Sequence, residues 1–143
     1  MKYFNIQEFM CKCGCTMPQS VKENIEALVD NVLDPAREIF GTPMNVSSGH
    51  RCKLRNAQVG GVPNSQHMVG QASDLVTGTS AGNLHLAKII ARQGRFDQLI
   101  LYVNPGCAEP QFIHVSYKRD GVNRHRILRK VLGRDGYSIV PSL

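Results

Sequence analysis

The sequence predicts an α+β fold, in which a mainly antiparallel sheet has helices packed on one face. Two stretches, within residues 20–40 and 81–93, repeat apolar residues at helical spacing. Short apolar runs of strand length lie between and after them, joined by returns that contain Gly or Pro. The 143 residues show no internal repeat or linker. We therefore expect residues 1–143 to form one domain that ends in a basic hairpin or tail, about 118–143.

Composition narrows the classes of function. No apolar run approaches the ~20 residues of a membrane-spanning helix, and the N-terminus lacks the apolar segment of a secretory signal. We expect no membrane insertion and synthesis in the cytoplasm, with release by another system if the target lies outside. The formal net charge is +6. The basic tail lacks interleaved aromatic residues and any nucleic-acid-binding motif, so it predicts a solvated face and no nucleic-acid partner. We expect a monomer.

The N-terminal third predicts a short docking element and then a long helix. Residues 3–10 offer three apolar side chains to the body of the domain. Ser20 and Glu23 have the spacing of a capping box, which would open the helix. Pro35 lies inside the apolar stripe and removes a backbone donor, so the helix should kink or split just before it. Gly41 should end it.

The remaining elements alternate between strands and helices. A strand at residues 72–76 precedes a helix over about 81–93, which Ser80 can cap. The other expected elements are a strand at 44–47, a helical turn at 52–58, strands at 96–102 and 111–117, and a hairpin at 131–140 broken by residues 133–136.

Five cysteines are an odd number, and three of them crowd together as Cys11, Cys13 and Cys15. Without a secretory signal, a disulfide framework is the weaker interpretation. A thiolate metal knuckle completed by Cys52 is an alternative, although C-x-C-x-C lacks the paired C-x2-C elements of ordinary zinc ribbons. The simplest expectation is reduced thiols near the surface.

The segment Ser65–Asp74 combines a histidine, a glycine bend and a carboxylate within ten residues. A turn through the glycine can bring His67 back beside Asp74 in the strand that follows. His114, in a short apolar strand further along, can supply a third ligand. Two imidazoles and a carboxylate suit Zn²⁺ with a position left open for water. The alternatives are a hydrogen-bonded core histidine and an aspartate that caps a turn.

Three blocks occur in order along the chain: Ser48-Gly49-His50-Arg51, the S-x-H-x-x-G-x-A-x-D run that ends at Asp74, and Phe112-Ile113-His114-Val115. From about Phe9 to Tyr117 the chain resembles the zinc D-Ala-D-Ala carboxypeptidase and phage endolysin family, peptidase family M15. The resemblance implies a fold of the Hedgehog/DD-peptidase type, with Zn²⁺ as cofactor bound at His67, Asp74 and His114.

The resemblance also implies roles for residues near the metal. Arg51 matches the family's arginine, whose guanidinium clamps a substrate carboxylate or the oxyanion of the transition state. Taken alone, Arg51 would be a solvated loop residue. Ser48 and Ser65 are candidates to bind substrate or to orient ligands, with turn chemistry as the alternative. His50 stands where the family usually has an aromatic residue, a departure that concerns the pocket wall.

The general base is less defined than the ligands. Many family members have an acidic residue three positions before the last histidine, where this chain has Gln111, which cannot take a proton. Glu109 is the nearest carboxylate and the first candidate, on a loop expected to overhang the metal. Asp97 is the second candidate, either as base or as a residue that orients a ligand imidazole.

The leading interpretation is a zinc metallopeptidase that cleaves the peptide stem of bacterial peptidoglycan, with one zinc per chain. The missing secretory signal fits a phage or prophage lysin better than a resident secreted carboxypeptidase. The alternative is a catalytically silent cell-wall-binding module on the same fold, with zinc kept for structure, and Gln111 favours it.

Overall fold

A six-stranded, mostly antiparallel sheet forms the centre of the molecule. The structure, a computed structural model, describes residues 1–143. Only β3 and β5 pair in parallel, so the predicted fold class is confirmed. The sheet order is β1-β2-β4-β3-β5-β6, with β1 (Asn45–Ser48), β2 (Ala72–Val76), β3 (Gln98–Val103), β4 (Phe112–Ser116), β5 (Arg126–Val131) and β6 (Ser138–Ile139).

Four α-helices and two short 3-10 turns accompany the sheet. They are α1 (Gln19–Leu28), α2 (Asp34–Phe40), α3 (Lys53–Gln58) and α4 (Ser80–Gln93), with the 3-10 turns at Ile6–Phe9 and Gln66–Val69. None of the helices combines the length and apolar character that a membrane crossing requires.

Both predicted helix caps were wrong by a residue or two. Ser20 lies inside α1, whose N-cap position is Pro18. Thr79, and not Ser80, caps α4, because its hydroxyl accepts a hydrogen bond of 2.9 Å from the Gly82 N–H. At the start of α4 two neighbouring hydroxyl residues offer the same capping chemistry, so the sequence does not choose between them.

The predicted break before Pro35 takes the form of a change in helix type. A π-helical segment, Val29–Leu33, joins α1 to α2, and Pro35 lies in the first turn of α2. Proline is tolerated in a first turn because the N–H that it lacks has no helical partner there. Gly41 ends α2 in the left-handed conformation, with φ of 85°. The predictions for Pro35 and Gly41 are confirmed.

The hydrophobic core lies between one face of the sheet and helices α1, α2 and α4. The sheet contributes alternate residues, and the fully buried members include Leu75, Leu99, Leu101, Ile113, Ile25, Leu28, Leu86 and Ile90. Because successive strand residues point to opposite faces, Asp74 and His114 lie on the other face of the sheet. This arrangement leaves that face free for a site.

The C-terminal segment completes the sheet on the side of β3. β5 pairs with β3 along its length, from Gln98 opposite Arg126 to Val103 opposite Val131, and β6 returns antiparallel to β5. The predicted C-terminal hairpin exists, but its first strand begins earlier than expected, at Arg126. Arg126 and Lys130 interrupt the apolar pattern of this strand, so the sequence did not reveal where it begins.

Candidate metal centre

A single 3-10 turn brings His67 back over β2. The Ser65 hydroxyl opens the turn by accepting a hydrogen bond of 3.2 Å from the His67 N–H. Gly70 ends it with φ of 80°, a conformation that glycine adopts without strain. A Cβ at Gly70 would lie 2.6 Å from the carbonyl oxygen of Val21 in α1. The turn that holds His67 is therefore seated closely on α1.

Asp74 and His114 face each other on neighbouring strands. They are paired residues of the β2–β4 ladder, so their side chains project from the same face. His114 Nδ1 lies 3.1 Å from Asp74 Oδ1, and His67 Nε2 lies 3.2 Å from the same oxygen. All three side chains are buried, and their candidate ligand atoms lie within 4.8 Å of one another. The structure thus brings together the three residues that the sequence singled out.

The hydrogen bonds of His67 decide which of its nitrogens is free to bind a metal. Nδ1 lies 2.8 Å from the carbonyl oxygen of Gly49, which only accepts, so Nδ1 carries the proton. In the neutral ring Nε2 is then unprotonated, and its lone pair faces a carboxylate oxygen of Asp74. Two acceptors at this distance are stable when a cation or proton lies between them. An imidazole pair and a carboxylate in this arrangement fit Zn²⁺.

The surroundings keep Asp74 and His114 in the forms that bind metal. Burial raises the pKa of Asp74, but the neighbouring His114 and His67 imidazoles outweigh it and hold that pKa well below its usual range. Burial is the largest effect on His114, and it lowers the pKa of the imidazole. Near neutral pH the carboxylate is therefore ionised and the imidazole neutral, as metal ligation requires.

Arg51 reaches the centre from the loop between β1 and α3. Its guanidinium donates from Nη2 to Asp74 Oδ2 at 3.2 Å and from Nε to Ser48 Oγ at 3.0 Å. Its backbone N–H donates to the carbonyl oxygen of His67 at 3.0 Å. Arg51 is therefore a fixed member of the site, and Asp74 is a protein partner that the sequence did not predict. Ser48 and Ser65 both hold site residues in place.

The three ligands lie in a cleft with a volume of about 540 Å³. Tyr102 and Phe112 form part of its wall, with their rings stacked at 4.4 Å between centroids and 12° between planes. Burial raises the pKa of Tyr102, so its hydroxyl keeps the proton and can donate it in a hydrogen bond. Asp74 is the one carboxylate in the lining, which contains four cationic side chains: Arg51, Arg124, Arg126 and Lys130.

A model of the family described as Peptidase M15 matches residues 2–116. The chain belongs to the peptidase M15 family. The matched region contains Arg51 and all three candidate ligands, and it ends before β5 begins. M15 peptidases are generally metal-dependent, which agrees with the grouping of His67, Asp74 and His114. The comparison with curated proteins found no match.

In this M15 family member, Glu109 lies outside the cleft. The loop between β3 and β4 turns towards α4, where Ser80 Oγ donates to Glu109 Oε1 at 3.3 Å. The Asn83 side-chain amide donates to the carbonyl oxygens of Pro110 and Gln111, both at 3.0 Å. Neither Glu109 nor Gln111 lines the cleft. The structure therefore departs from the expectation that this loop overhangs the metal, because Asn83 fastens the loop to the start of α4.

Asp97 is fully buried and forms no hydrogen bond with either ligand imidazole. Its carboxylate accepts hydrogen bonds from the Arg124 backbone and guanidinium, at 2.7 to 3.0 Å, and one of 3.0 Å from the Gln66 amide. Burial raises the pKa of Asp97, but the bonds from Arg124 outweigh it and lower the pKa to about 2. Asp97 therefore ties the turn that holds His67 to the segment before β5, which is an architectural role.

His50 does not line the cleft. It is buried, and its backbone N–H donates to the carbonyl oxygen of Phe9 at 2.8 Å. The replacement of the family's usual aromatic residue by His50 therefore concerns packing and leaves the cleft wall unaffected.

Sequence reasoning missed several residues of the cleft wall. Tyr102 lies on the same face of β3 as Ile100, and Arg126 and Lys130 lie on the same face of β5 as Leu128. Period-two alternation was the signal that could have found them. The neighbours of each strand were also needed, and only the sheet order supplies those.

Proposed function

We propose that this protein is a zinc peptidase that cleaves the peptide stem of bacterial peptidoglycan. The observation that carries the proposal is the convergence of His67, Asp74 and His114 within one basic cleft. Membership of the M15 family supports peptidase chemistry independently of the geometry.

His67, Asp74 and His114 would hold the zinc ion. Bound there, Zn²⁺ supplies Lewis-acid chemistry for the attack of water on an amide carbonyl. The Arg51 guanidinium can bind a substrate carboxylate or stabilise the negative charge that develops on the carbonyl oxygen. Ser48 fixes the direction of that guanidinium through its bond to Nε.

The wall of the cleft offers a second hydrogen-bond donor. The Tyr102 ring is held against Phe112, which limits its motion and fixes the position of the hydroxyl. A peptide carbonyl bound across the cleft can accept a hydrogen bond from that hydroxyl.

Charge in the cleft favours a short anionic peptide as substrate. Four cationic side chains line the cleft. Arg51 is paired with Asp74 and Arg124 with Asp97, whereas Arg126 and Lys130 have no carboxylate partner. The cleft volume of about 540 Å³ is in the range of sites that bind small ligands. A stem peptide, with its free carboxylates and short length, matches both properties.

The decisive experiment is digestion of purified peptidoglycan by the zinc-loaded protein, with the released ends identified by mass spectrometry. We expect new amino or carboxyl ends within the stem peptide and none within the glycan strands. His67→Ala is the matched inactive variant, and it should release nothing above background. Products that are identical for the wild type and His67→Ala, or cleavage confined to the glycan, would rule the proposal out.

A second candidate function is a silent module that binds the cell wall. The observation that favours it is that the cleft has no carboxylate besides Asp74 to act as a general base. In that case the protein would sediment with peptidoglycan and release no ends at any enzyme concentration. Measured hydrolysis by the wild type excludes this candidate.

A further inference from the structure

Four of the five cysteines converge at a second place in the molecule, away from the cleft. Cys11, Cys13 and Cys15 lie in the turn after the first 3-10 segment, and Cys52 is the N-cap residue of α3. The four Sγ atoms all lie within 4.8 Å of one another. Cys11 and Cys13 are 3.2 Å apart, and Cys13 and Cys52 are 3.5 Å apart. All four thiols are free.

These distances resemble the spacing of sulfur ligands around one tetrahedral metal. With Zn–S bonds of about 2.3 Å, the sulfur atoms of a four-thiolate site lie about 3.8 Å apart. Four soft thiolates in a tetrahedral set are a donor combination typical of Zn²⁺. Two ordinary disulfides would require only two separate pairs, and nothing in such pairing would bring all four sulfurs to one point.

The backbone around the cluster supplies donors to the sulfur atoms. The N–H groups of Cys52, Arg55 and Cys15 lie 3.4 Å from Cys11 Sγ, Cys52 Sγ and Cys13 Sγ respectively. Hydrogen bonds of this kind favour the thiolate over the thiol. Lys12, Lys53 and Arg55 are neighbours of the cysteines in the sequence, so the segments that carry the thiols are basic.

A tight turn explains how C-x-C-x-C reaches this arrangement without a C-x2-C element. The Gly14 N–H donates to the Cys11 carbonyl oxygen at 3.0 Å, and Gly14 has φ of 78°. That conformation is easy for glycine and strained for other residues. The turn folds three cysteines onto one side, and Cys52 arrives from a distant segment to complete the set.

We propose that Cys11, Cys13, Cys15 and Cys52 bind a structural Zn²⁺, with loss of the four thiol protons. The ion fastens the N-terminal segment to the loop that carries Arg51, the residue directly before Cys52. This junction is already in contact through the Phe9 carbonyl oxygen and the His50 N–H, 2.8 Å apart. The site is separate from the His67 centre and does not depend on the proposed peptidase activity.

Metal content of purified, reduced protein tests the proposal. The wild type should hold two zinc ions per chain after gel filtration. Cys13→Ser should hold one, and His67→Ala should also hold one. Cys107→Ser is the matched control, because Cys107 is the exposed cysteine outside the cluster, and it should hold two.

Cobalt substitution shows which of the two sites is filled. Cobalt-loaded wild type and His67→Ala should both give the intense near-ultraviolet charge-transfer bands of cobalt thiolates, and folded Cys13→Ser should lose most of them. If the wild type lacks these bands, or holds a single zinc that only His67→Ala removes, the proposal is overturned.

Peptide mapping under non-reducing conditions provides the remaining test. Disulfides among the four cysteines in freshly purified protein would overturn the proposal, whereas rapid labelling of these thiols only after chelation supports it. If the thiolate site is present and the wild type releases no peptidoglycan fragments, the proposed function fails and this inference stands.

Discussion

Arg51 contacts the candidate metal centre and also lines the cleft. Its guanidinium donates hydrogen bonds to Asp74 and Ser48. We expect Arg51→Ala to lower kcat/KM by about 100-fold or more, as the loss of one oxyanion donor does. Zinc content should persist, because all three ligands are retained.

Steady-state kinetics and metal analysis on the same preparation check this prediction. Arg92→Ala, on the exposed side of α4, is the matched control and should resemble the wild type. If Arg51→Ala loses zinc or unfolds while activity per folded molecule holds, Arg51 is a structural partner of Asp74 and has no catalytic role.

We expect Asp97 to contribute to the stability of the fold and to have little effect on catalysis. Its folded pKa of about 2 lies below the ordinary value of 3.8, so its ion pair stabilises the fold fully above about pH 4 and loses this effect as the pH falls towards 2. Asp97→Asn should lower the free energy of unfolding by about 2 kcal/mol near neutral pH. The difference from the wild type should shrink as the medium becomes acidic.

Denaturant titration at a series of pH values measures the effect of Asp97→Asn. Asp120→Asn, at an aspartate whose side chain is 81% exposed, is the control and should change little. A loss of stability in Asp97→Asn that is the same at every pH would contradict the ion-pair explanation.

Glu109 should be dispensable for turnover. Its carboxylate bonds to Ser80 and lies outside the cleft, so Glu109→Gln should keep kcat within about twofold, far from the ~100-fold cost of losing a general base. Initial rates on peptidoglycan fragments give the answer. A 100-fold loss would show that the loop reaches the metal during the reaction, as the sequence alone had indicated.

At the scale of elements, the contact between the His67 turn and α1 leaves no room for a side chain at Gly70. Gly70→Ala adds a Cβ at φ of 80° and within 2.6 Å of a carbonyl oxygen. Gly41→Ala, at φ of 85° with no atom nearby, carries the strain alone. We expect Gly41→Ala to cost about 1–2 kcal/mol of stability and Gly70→Ala to cost about 1–3 kcal/mol more.

Thermal unfolding and zinc affinity, measured together, separate these two effects. Gly70→Ala should weaken zinc binding because it displaces His67, while Gly41→Ala should leave affinity unchanged. Equal losses of stability in the two variants would mean that the turn moves away from α1 without cost.

Strand β5 supplies charge to the cleft from outside the family-matched region. Removing either basic side chain, by Arg126→Ala or Lys130→Ala, should raise KM for a carboxylate-bearing peptide by up to about fivefold, for a contact worth up to about 1 kcal/mol. Added salt should weaken binding by the wild type in the same direction. Arg134→Ala, outside the cleft, is the control. An unchanged KM in both cleft variants would show that these charges do not touch the substrate.

For the molecule as a whole, local patterns and the family resemblance predicted much of the architecture and the three residues that converge in the cleft. Strand alternation placed Asp74 and His114 each on the opposite face of its strand from its apolar neighbours, and Gly70 marked the turn that returns His67. Those predictions succeeded because they depend on neighbours within a few residues. The change of helix type before Pro35 was likewise predictable, because proline lacks a backbone donor.

The predictions that failed concerned contacts between distant segments of the chain. The Asn83 amide decides where the loop with Glu109 lies, and Arg124 decides that Asp97 is an ion-pair partner. The sequence left the convergence of Cys52 on Cys11, Cys13 and Cys15 open for the same reason, since Cys52 comes from another part of the chain. No local spacing rule contains such information.

The parallel pairing of β3 with β5 also reduces the tendency of the protein to self-associate. His67, Asp74 and His114 all precede β5 in the chain, so a chain cut short at the end of β4 would contain them and leave β3 as an edge strand. That edge would present Leu99, Ile100 and Leu101 with unpaired backbone groups, a template on which other copies can add. β5 pairs with this edge, and the positive charge of its basic residues disfavours association between copies of the protein.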